Sequence, residues 1–465
     1  MGTAVSEEPR IAEIDISVPA RALGVLRWSD YVLVVLCGYM ALGILTEWIT
    51  HGVSDAGSFA FEAVTLAVLG FAVWTGWRHL GTIDPRVWRA YRWVFPLLLG
   101  LAAFMLWSMV LAQKEQAGAG SDIDRATIAG FVMLGWVMVV ILPAYLSLLL
   151  LPRMQLALVG TKLSTCLEAL GRRGGDADAL LGSLPRINPW RGRLFAGLGI
   201  LVLVGVALVP EPADPKLAES TARVWPQLNL LGFFLLLHAR RYFQVSADAL
   251  LAADKRAPVL FLRSFDDDEK HAVQAADRAW LDFSLETRLA NHFHRFGPFI
   301  AIGSPKETVP QLGAARVLLP DDQWQERVLG WMRDASVIVM YSGKTEWVNW
   351  ELRKVVDNGR VGQLILLIPE IKGWRRGKKK LDLQARVEQL RGVFKGTPWA
   401  EELEAWRDFD KLRAMLFRAD GSMVMIKSRS KSRDAYHLAA LVSHHLLLTP
   451  KQLAELPAAA LRRAA

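Results

Sequence analysis

The stretch DASVIVMYSGKTEWVNWELRKVVDNGRVGQLILLIP, residues 334–369, decides the fold class of this chain. Its first apolar run, 335–341, is rich in β-branched residues and predicts a buried strand. A helix is predicted from position 345 or 346 to the Asn358-Gly359 pair, a common helix stop. Residues 363–369 predict a second buried strand. A strand, a helix and a strand in this order indicate a crossover between parallel strands.

Strands and helices alternate upstream of this stretch as well. Strands are predicted over 258–265 and 299–302, and amphipathic helices over 281–296 and 324–332. The region 255–448 is therefore predicted to be a doubly wound α/β domain with a parallel, flavodoxin-like sheet. The later elements are predicted as helices over 381–390, 401–417 and 435–448, an edge strand over 423–426, and a tail over 449–465.

Trp347 and Glu351 are four residues apart on the predicted helix, so they share one helix face. This face lies over the carboxyl end of the first strand, where open α/β sheets bind ligands. Two interpretations stay open from the residues alone. The pair belongs to a binding site, or the glutamate is merely solvated and the tryptophan merely packs.

Composition indicates a membrane protein. The chain has 465 residues, of which 52% are hydrophobic, and its mean hydropathy is +0.23, with the apolar residues clustered. Cys37 and Cys166 share no motif spacing, so neither a disulfide framework nor a zinc site is indicated. The net charge of +9 is attributed to loop arginines of a membrane protein rather than to nucleic-acid binding.

A polar segment, 1–30, is predicted to be a flexible cytoplasmic tail, and a membrane domain is predicted over 31–241. Basic residues are concentrated in the loops 78–92 and 152–193, so both termini are predicted to be cytoplasmic and the protein to lie in the inner membrane. The six predicted spans are about 31–50, 58–77, 93–112, 128–151, 194–210 and 224–239.

Two motifs resemble the TIR family, the domains of the Toll/interleukin-1 receptor type. The first predicted strand ends in Ser264-Phe265 with acidic residues after it, like the opening of these domains. The sequence TEWVNWEL, residues 345–352, is similar to the family signature Ser-x-Trp-x-x-x-Glu-Leu. The chain departs from the family in having Thr345 where many members have serine, and in a long segment after its second strand. As a whole the chain resembles bacterial proteins of unassigned function that join several spans to such a domain.

The resemblance implies an activity and a site. In the family this glutamate is essential for NAD cleavage, so the resemblance makes Glu351 the catalytic residue and NAD the substrate. Cleavage passes through an oxocarbenium-like centre, which a carboxylate stabilises. The residues predicted to contact the substrate are Ser264, Phe265, Gly303, Ser304 and Trp347.

A P-loop is rejected on sequence grounds, and for the acidic run 266–268 a solvated loop is favoured over a metal site. Ser342–Thr345 imitates the end of a phosphate-binding P-loop, but Ile338 stands where that loop requires glycine. The acidic run 266–268 lacks a matching carboxylate or histidine cluster, and His292/His294 and His444-His445 lack the spacing of a helical metal pair. No metal and no cofactor are therefore predicted, and NAD enters only as a substrate.

The sequence thus predicts a membrane-anchored signalling or defence protein that hydrolyses NAD when chains cluster through the TIR-like domain. The alternative is a non-enzymatic membrane scaffold or nucleotide sensor, whose α/β domain binds a ligand or self-associates. The predicted partners are the lipid bilayer, further copies of the chain and a nucleotide ligand. For the basic segment 372–380, lipid headgroups are favoured over nucleic acid, with simple solvation as the third interpretation.

Overall fold

The structure is a computed structural model. It divides into two units: Met1–Arg21, Met154–Ile200 and Leu230–Ala465 form the first, and Ala22–Arg153 and Leu201–Asn229 form the second. The residues that it describes are 11–51, 56–81, 93, 96, 97, 100, 163–175, 177–208, 215–263, 284–303, 312–318, 323–343, 345–368, 376–406, 409 and 411–450.

The described strands all belong to the first unit, and the described helices are distributed over both. The strands are β1 (Ile11–Asp15), β2 (Val259–Leu262), β3 (Phe299–Gly303), β4 (Ala315–Leu318), β5 (Val337–Tyr341), β6 (Leu364–Leu367), β7 (Leu412–Phe417) and β8 (Met423–Lys427). The helices are α1 (Ser17–His51), α2 (Ala56–Gly81), α3 (Leu163–Arg173), α4 (Ala177–Ser183), α5 (Pro189–Leu208), α6 (Pro215–Tyr242), α7 (Ala247–Ala253), α8 (Leu285–Phe293), α9 (Trp324–Asp334), α10 (Glu346–Asp357), α11 (Arg376–Phe394), α12 (Ala400–Ala405) and α13 (Arg433–Leu447).

The strand–helix–strand unit predicted from residues 334–369 is confirmed as β5, α10 and β6. All residues of β5 and β6 are buried, because both faces of these strands are covered by helices. The helix ends at the predicted stop: Asn358 caps it, and Gly359 follows with φ +65°, a conformation that suits glycine.

Eight strands form one sheet, in the order β1-β8-β7-β6-β5-β2-β3-β4. The run β4-β3-β2-β5-β6 is parallel throughout. In contrast, β7 is antiparallel to both of its neighbours. The prediction of a parallel sheet is therefore wrong, and so is the prediction of a helix over 401–417. A tight turn joins β7 to β8, which makes these two strands an antiparallel hairpin.

The strand order also differs from the flavodoxin-like prediction. A flavodoxin-like sheet places its third strand beyond the first, whereas here the third parallel strand in chain order, β4, lies outside the second, β3. β4 is therefore an additional edge strand, which the sequence analysis did not predict. The five parallel strands therefore follow the other doubly wound order, 3-2-1-4-5.

Helices cover both faces of the sheet. One face packs against α13, which also contacts α3 and α8. The other face shares a hydrophobic core with α9, α10, α11 and α12, in which Met332, Leu352 and Phe394 are almost completely buried. Alternate residues of each strand point to the two faces, so every strand contributes to two apolar layers.

The N-terminal segment is part of the sheet. Ile14 is fully buried and pairs with Ile426 of β8, and Glu13 forms a salt bridge with Lys427 at 2.6 Å. The prediction of a flexible tail over 1–30 is therefore wrong for residues 11–30, which form β1 and the beginning of α1. The strand predicted over 423–426 exists, but β1 covers it, so it is not an edge strand.

The prediction of six spans is also wrong. Within the described residues one helix segment, Pro189–Val206 of α5, is long and apolar enough to cross a membrane. The described apolar part of α2, Glu62–Trp74, is shorter. The charged residues of α6 lie at its two ends, with Lys216, Glu219 and Arg223 near its start and Arg240 and Arg241 in its last turn. The predicted spans at 128–151 and over most of 93–112 lie outside the described residues. One such helix does not establish a multi-pass membrane protein.

The second unit contains most of α1 and all of α2. Inside it, the indole N–H of Trp48 donates a hydrogen bond to the carboxylate of Glu62. This contact joins the end of α1 to α2, and it gives a polar partner to an acidic residue in an otherwise apolar helix.

Candidate functional site

The order of the parallel strands reverses between β2 and β5. Chain connections leave these two adjacent strands in opposite directions along the sheet, which opens a crevice at their carboxyl ends. Ligands of open α/β sheets bind at such a switch point. Among the described residues, this crevice is bordered by Arg263 after β2, by Ser342 after β5 and by the beginning of α10.

Glu351 is buried in the second turn of α10, with 8% of its surface exposed. Its Oε2 has no hydrogen-bond partner among the described residues, and no cation is paired with it there. Burial alone raises the pKa of Glu351 to about 8. The side chain is therefore protonated at neutral pH, unlike the solvated glutamate that the packing interpretation expected.

Ser342 follows β5 directly and is also buried. Its backbone N–H donates to the carbonyl oxygen of Leu367 at 2.8 Å, which prolongs the pairing of β5 with β6. Its carbonyl oxygen accepts a hydrogen bond from Nη1 of Arg386 at 3.0 Å. The hydroxyl oxygen of Ser342 is buried and has no partner among the described residues.

Arg386 brings a positive charge to the same end of β5. This residue of α11 is 2% exposed, and its guanidinium bonds to the Ser342 carbonyl, so α11 is fixed against the loop between β5 and α10. A buried guanidinium requires hydrogen-bond acceptors or negative charge. The loop end of β5 is thus a polar region inside an apolar interface.

Trp347 lies at the rim of the crevice, 54% exposed, one turn before Glu351. The ring of Trp324 packs edge-to-face against Trp347 at 5.3 Å and against Trp350 at the same distance. The three tryptophans form a connected group on α9 and α10, and Trp347 has the most exposed ring. An exposed indole supported from one edge is a suitable platform for stacking a flat ring.

Of the other predicted substrate contacts, Gly303 is among the residues that the structure describes. Gly303 is the last residue of β3 and lies at the same edge of the sheet as the start of α10. β2 separates β3 from β5, so these strand ends are roughly 10 Å apart. Ser264, Phe265 and Ser304 lie outside the described residues, as does the acidic run after Ser264.

A buried charge cluster occupies the end of β2. The carboxylate of Glu286 on α8 pairs with Arg316 of β4 and, at 3.4 Å, with Arg263, the residue after β2. It also accepts a hydrogen bond from the backbone N–H of Ala314 at 3.1 Å. Its contacts join one helix to two strands, which is a structural role.

The histidines that the sequence shows at unrelated spacings meet in space. His292 Nε2 and His444 Nδ1 are 2.9 Å apart in the buried interface between α8 and α13. Burial and the neighbouring histidine lower the pKa of His292 well below its usual value, so both rings remain neutral at physiological pH. In the described part of the chain, no group of three or more histidine, cysteine, aspartate and glutamate residues is placed to hold a metal ion.

Sequence reasoning identified Glu351 and Trp347 but missed Ser342 and Arg386 as parts of one polar region. The only local pattern that includes Ser342 is the imitation of a P-loop, which gives no indication of a buried hydroxyl. Arg386 did give a signal, because it stands four residues before the core residue Leu390 and therefore on the apolar face of α11. An arginine in that position of an amphipathic helix indicates a buried polar partner.

Comparison of the chain with protein-family models, with curated proteins and with solved structures found no match in any of the three.

Proposed function

We propose that the first unit binds NAD at the carboxyl ends of β2 and β5 and cleaves the bond between nicotinamide and ribose, with Glu351 as the catalytic residue. The observation that carries this proposal is the buried, unpartnered Oε2 of Glu351 beside a sheet switch point. A buried acid with a perturbed pKa and no structural partner is typical of a functional site.

The raised pKa of Glu351, which burial causes, is compatible with this chemistry. NAD carries a positive charge on its nicotinamide ring, and a cation beside a carboxyl group favours the ionised form. Binding of NAD would therefore release the proton of Glu351 and create the carboxylate where it is needed. The resting site, in which Glu351 is neutral, is then inactive without substrate.

In the proposed step the bond between ribose C1′ and the nicotinamide nitrogen breaks, and the ring leaves with the electron pair as neutral nicotinamide. The Glu351 carboxylate stabilises the positive charge that develops on C1′ and the ring oxygen. Water adds to C1′ and gives up a proton, so the products are nicotinamide, ADP-ribose and a proton.

The neighbouring groups have supporting roles in this proposal. Trp347 stacks on a flat ring of the substrate. The free hydroxyl of Ser342 offers a hydrogen bond to a ribose hydroxyl, and Arg386 holds the Ser342 loop in place through the backbone carbonyl. Only Glu351 and the substrate take part in bond breaking.

We further propose that α5 attaches the chain to a membrane, and that chains cluster there. Only 11% of its apolar segment, Pro189–Val206, is buried, unlike a core helix of a soluble protein, which is mostly buried. Attachment confines copies to two dimensions and raises their effective concentration. This supports self-association as the activating event.

A second candidate function is a nucleotide sensor without catalysis. It is favoured by the same neutral state of Glu351, since a protonated carboxyl group donates a hydrogen bond to a ligand and needs no later ionisation. The two functions differ in what Glu351→Gln does. The sensor tolerates the amide, whereas the enzyme requires the carboxylate.

The decisive experiment compares full-length wild type, Glu351→Gln and Glu346→Gln in liposomes at high density, measuring NAD loss and nicotinamide release. Glu346 is an exposed acid of the same helix, so its variant controls for loss of a charge. We expect Glu351→Gln to lower turnover by roughly a hundredfold or more and Glu346→Gln to leave it unchanged. Equal turnover in all three would exclude Glu351 as the catalytic residue, and NAD binding without turnover would favour the sensor.

A further inference from the structure

We propose that a cavity of the first unit, distinct from the crevice at the ends of β2 and β5, binds a phosphate group. The phosphate comes from free inorganic phosphate or from a phospholipid headgroup. The cavity has a volume of about 170 Å³ and lies beside α8, at the β4 edge of the sheet. We call it the edge cavity. The polar residues that line it and carry the argument are Arg186, Arg240, Gln244, Thr287 and His294.

Its volume and charge suit a small anion. A single buried water needs only on the order of 15 Å³, so the edge cavity accommodates a phosphate group together with some of its hydration. The described lining includes the two guanidinium groups of Arg186 and Arg240 and no carboxylate. Guanidinium groups are the usual protein donors in phosphate recognition, because their paired N–H groups match the phosphate oxygens.

Arg186 is the key cation of the edge cavity. Its Nη1 donates to the carbonyl oxygen of Phe243 at 3.1 Å, and its Nη2 donates weakly to that of Gly182 at 3.5 Å. Within the described part of the chain no carboxylate pairs with it. The guanidinium is therefore oriented by backbone oxygens while its charge is left uncompensated, and a phosphate would supply the missing negative charge.

His294 adds a neutral donor to the same wall. Its Nδ1 accepts a hydrogen bond from the backbone N–H of Phe299 at 3.3 Å, which leaves the ring proton on Nε2. Burial lowers the pKa of His294 to about 4, so the ring keeps this tautomer at neutral pH. An imidazole N–H and guanidinium groups together favour an oxyanion over a cation.

Two acidic residues of the described part of the chain, Glu286 and Asp254, lie next to residues that line the edge cavity. Glu286 is bound by Arg263 and Arg316. Asp254 is paired with Arg256 at 2.7 Å. Among the described residues, these two carboxylates already have positive partners and therefore do not compensate the charge of Arg186.

The position of the edge cavity explains why a headgroup is one of the two sources. Arg186 lies three residues before α5, and Arg240 lies at the end of α6. The beginning of α5 exposes Trp190 by 62% and Leu194 by 48%. An aromatic and basic band beside an apolar helix is typical of a membrane interface, and basic pockets there bind phospholipid headgroups.

The binding test uses purified full-length protein in detergent, titrated with inorganic phosphate, with short-chain phosphatidic acid and with short-chain phosphatidylcholine of the same chain length. We expect saturable binding of at least one of the first two ligands. Binding of both with equal affinity identifies free phosphate as sufficient, whereas much tighter binding of phosphatidic acid identifies a headgroup. Saturable binding of neither ligand, or equal binding of phosphatidylcholine, overturns the proposal.

Two variants assign the binding to the edge cavity. Arg186→Gln should weaken binding by about tenfold or more, because it removes a charged hydrogen-bond donor. Ala290→Met places a larger side chain in the cavity wall without changing any charge, and should also abolish binding. Arg193→Gln is the matched control, since Arg193 is exposed on α5 and does not line the cavity. Unchanged affinity in both cavity variants, or an equal loss in Arg193→Gln, contradicts the assignment.

The lipid source rests on the proposed membrane attachment, but binding of phosphate does not. It is independent of NAD cleavage as well, because Glu351 is not part of the cavity wall. A negative result of the NAD experiment therefore does not contradict phosphate binding in the edge cavity. A negative phosphate titration likewise does not contradict the catalytic role of Glu351.

Discussion

Burial without a partner makes Glu351 a source of pH-dependent stability. Its folded-state pKa of about 8 lies above the ordinary value of 4.5, so the folded chain binds the proton more tightly than the unfolded chain does. Stability is then fully present below about pH 4.5 and is lost as the pH rises towards 8. At pH 7 the free energy of unfolding is lower by roughly 3 kcal/mol than it would be if residue 351 carried a side chain that does not titrate.

The corresponding prediction concerns thermal unfolding of the full-length chain between pH 5 and pH 9. We expect the melting temperature of Glu351→Gln to exceed that of wild type by an amount that grows with pH over this range, because the amide carries no charge to bury. Circular dichroism or scanning fluorimetry measures the difference. Glu346→Gln should follow wild type, and a constant offset of Glu351→Gln at all pH values would show that Glu351 does not titrate near 8.

Single residues of the site were predictable where a local motif fixes them. The position of Glu351 relative to Trp347 follows from helical periodicity, and Gly359 follows from the helix stop. The bond between Arg386 and the Ser342 carbonyl joins residues 44 apart. Helical periodicity marks Arg386 as unusual, but no local pattern names its partner, since the contact depends on how α11 packs against α10.

At the scale of elements, α5 and α6 pack closely through glycine. Phe195 stacks on Tyr242 at 5.5 Å, and a Cβ atom at Gly199 would lie 2.8 Å from the carbonyl oxygen of Gly232. Such an approach is open only to a residue without a side chain. Gly197, two residues earlier, has no atom within 4 Å of its would-be Cβ.

We therefore predict opposite effects for two identical substitutions in α5. Gly199→Ala should destabilise the chain by about 1–3 kcal/mol, because the backbone of α6 has to move. Gly197→Ala should be neutral or stabilise by up to about 1 kcal/mol through helix propensity. Thermal unfolding of both variants in detergent measures the difference, and equal melting temperatures would contradict the close packing of the two helices.

Elements were predictable from sequence when their hydrophobic period was clear and their neighbours were near in the chain. β2, β3, β5 and β6 and the helices between them meet both conditions. β7 does not, because its run 412–417, which is apolar except for Arg413, is equally compatible with a buried helix and a buried strand. Only pairing with β6 and β8 decides between the two.

At the scale of the whole molecule, β1 protects the edge of the sheet. Ile11, Ala12 and Ile14 are almost completely buried against it, and β8 would otherwise expose a row of unpaired backbone groups. The sequence could not predict this, since the five-residue strand carries no strong local signal and its partner lies 412 residues away, as with Ile11 and Met423.

We predict that deleting residues 2–16 makes the chain self-associate in solution. The exposed edge of β8 is then free to pair with another chain, which light scattering or size-exclusion chromatography detects. A shorter deletion that ends at Pro9 retains β1 and should behave like wild type. If the chain that lacks residues 2–16 remains monodisperse, β1 does not have this protective role.

The pairing of β1 with β8 also determines when the sheet can be completed during translation. The first strand of the chain leaves the ribosome long before its partner, Met423–Lys427, has been translated. Because translation proceeds at about 5–20 residues per second, the apolar residues of β1 remain without their partner strand for tens of seconds. The last part of the sheet therefore closes only at the end of translation, and a nascent chain stalled before residue 423 depends on chaperones or on α1 to shield that strand.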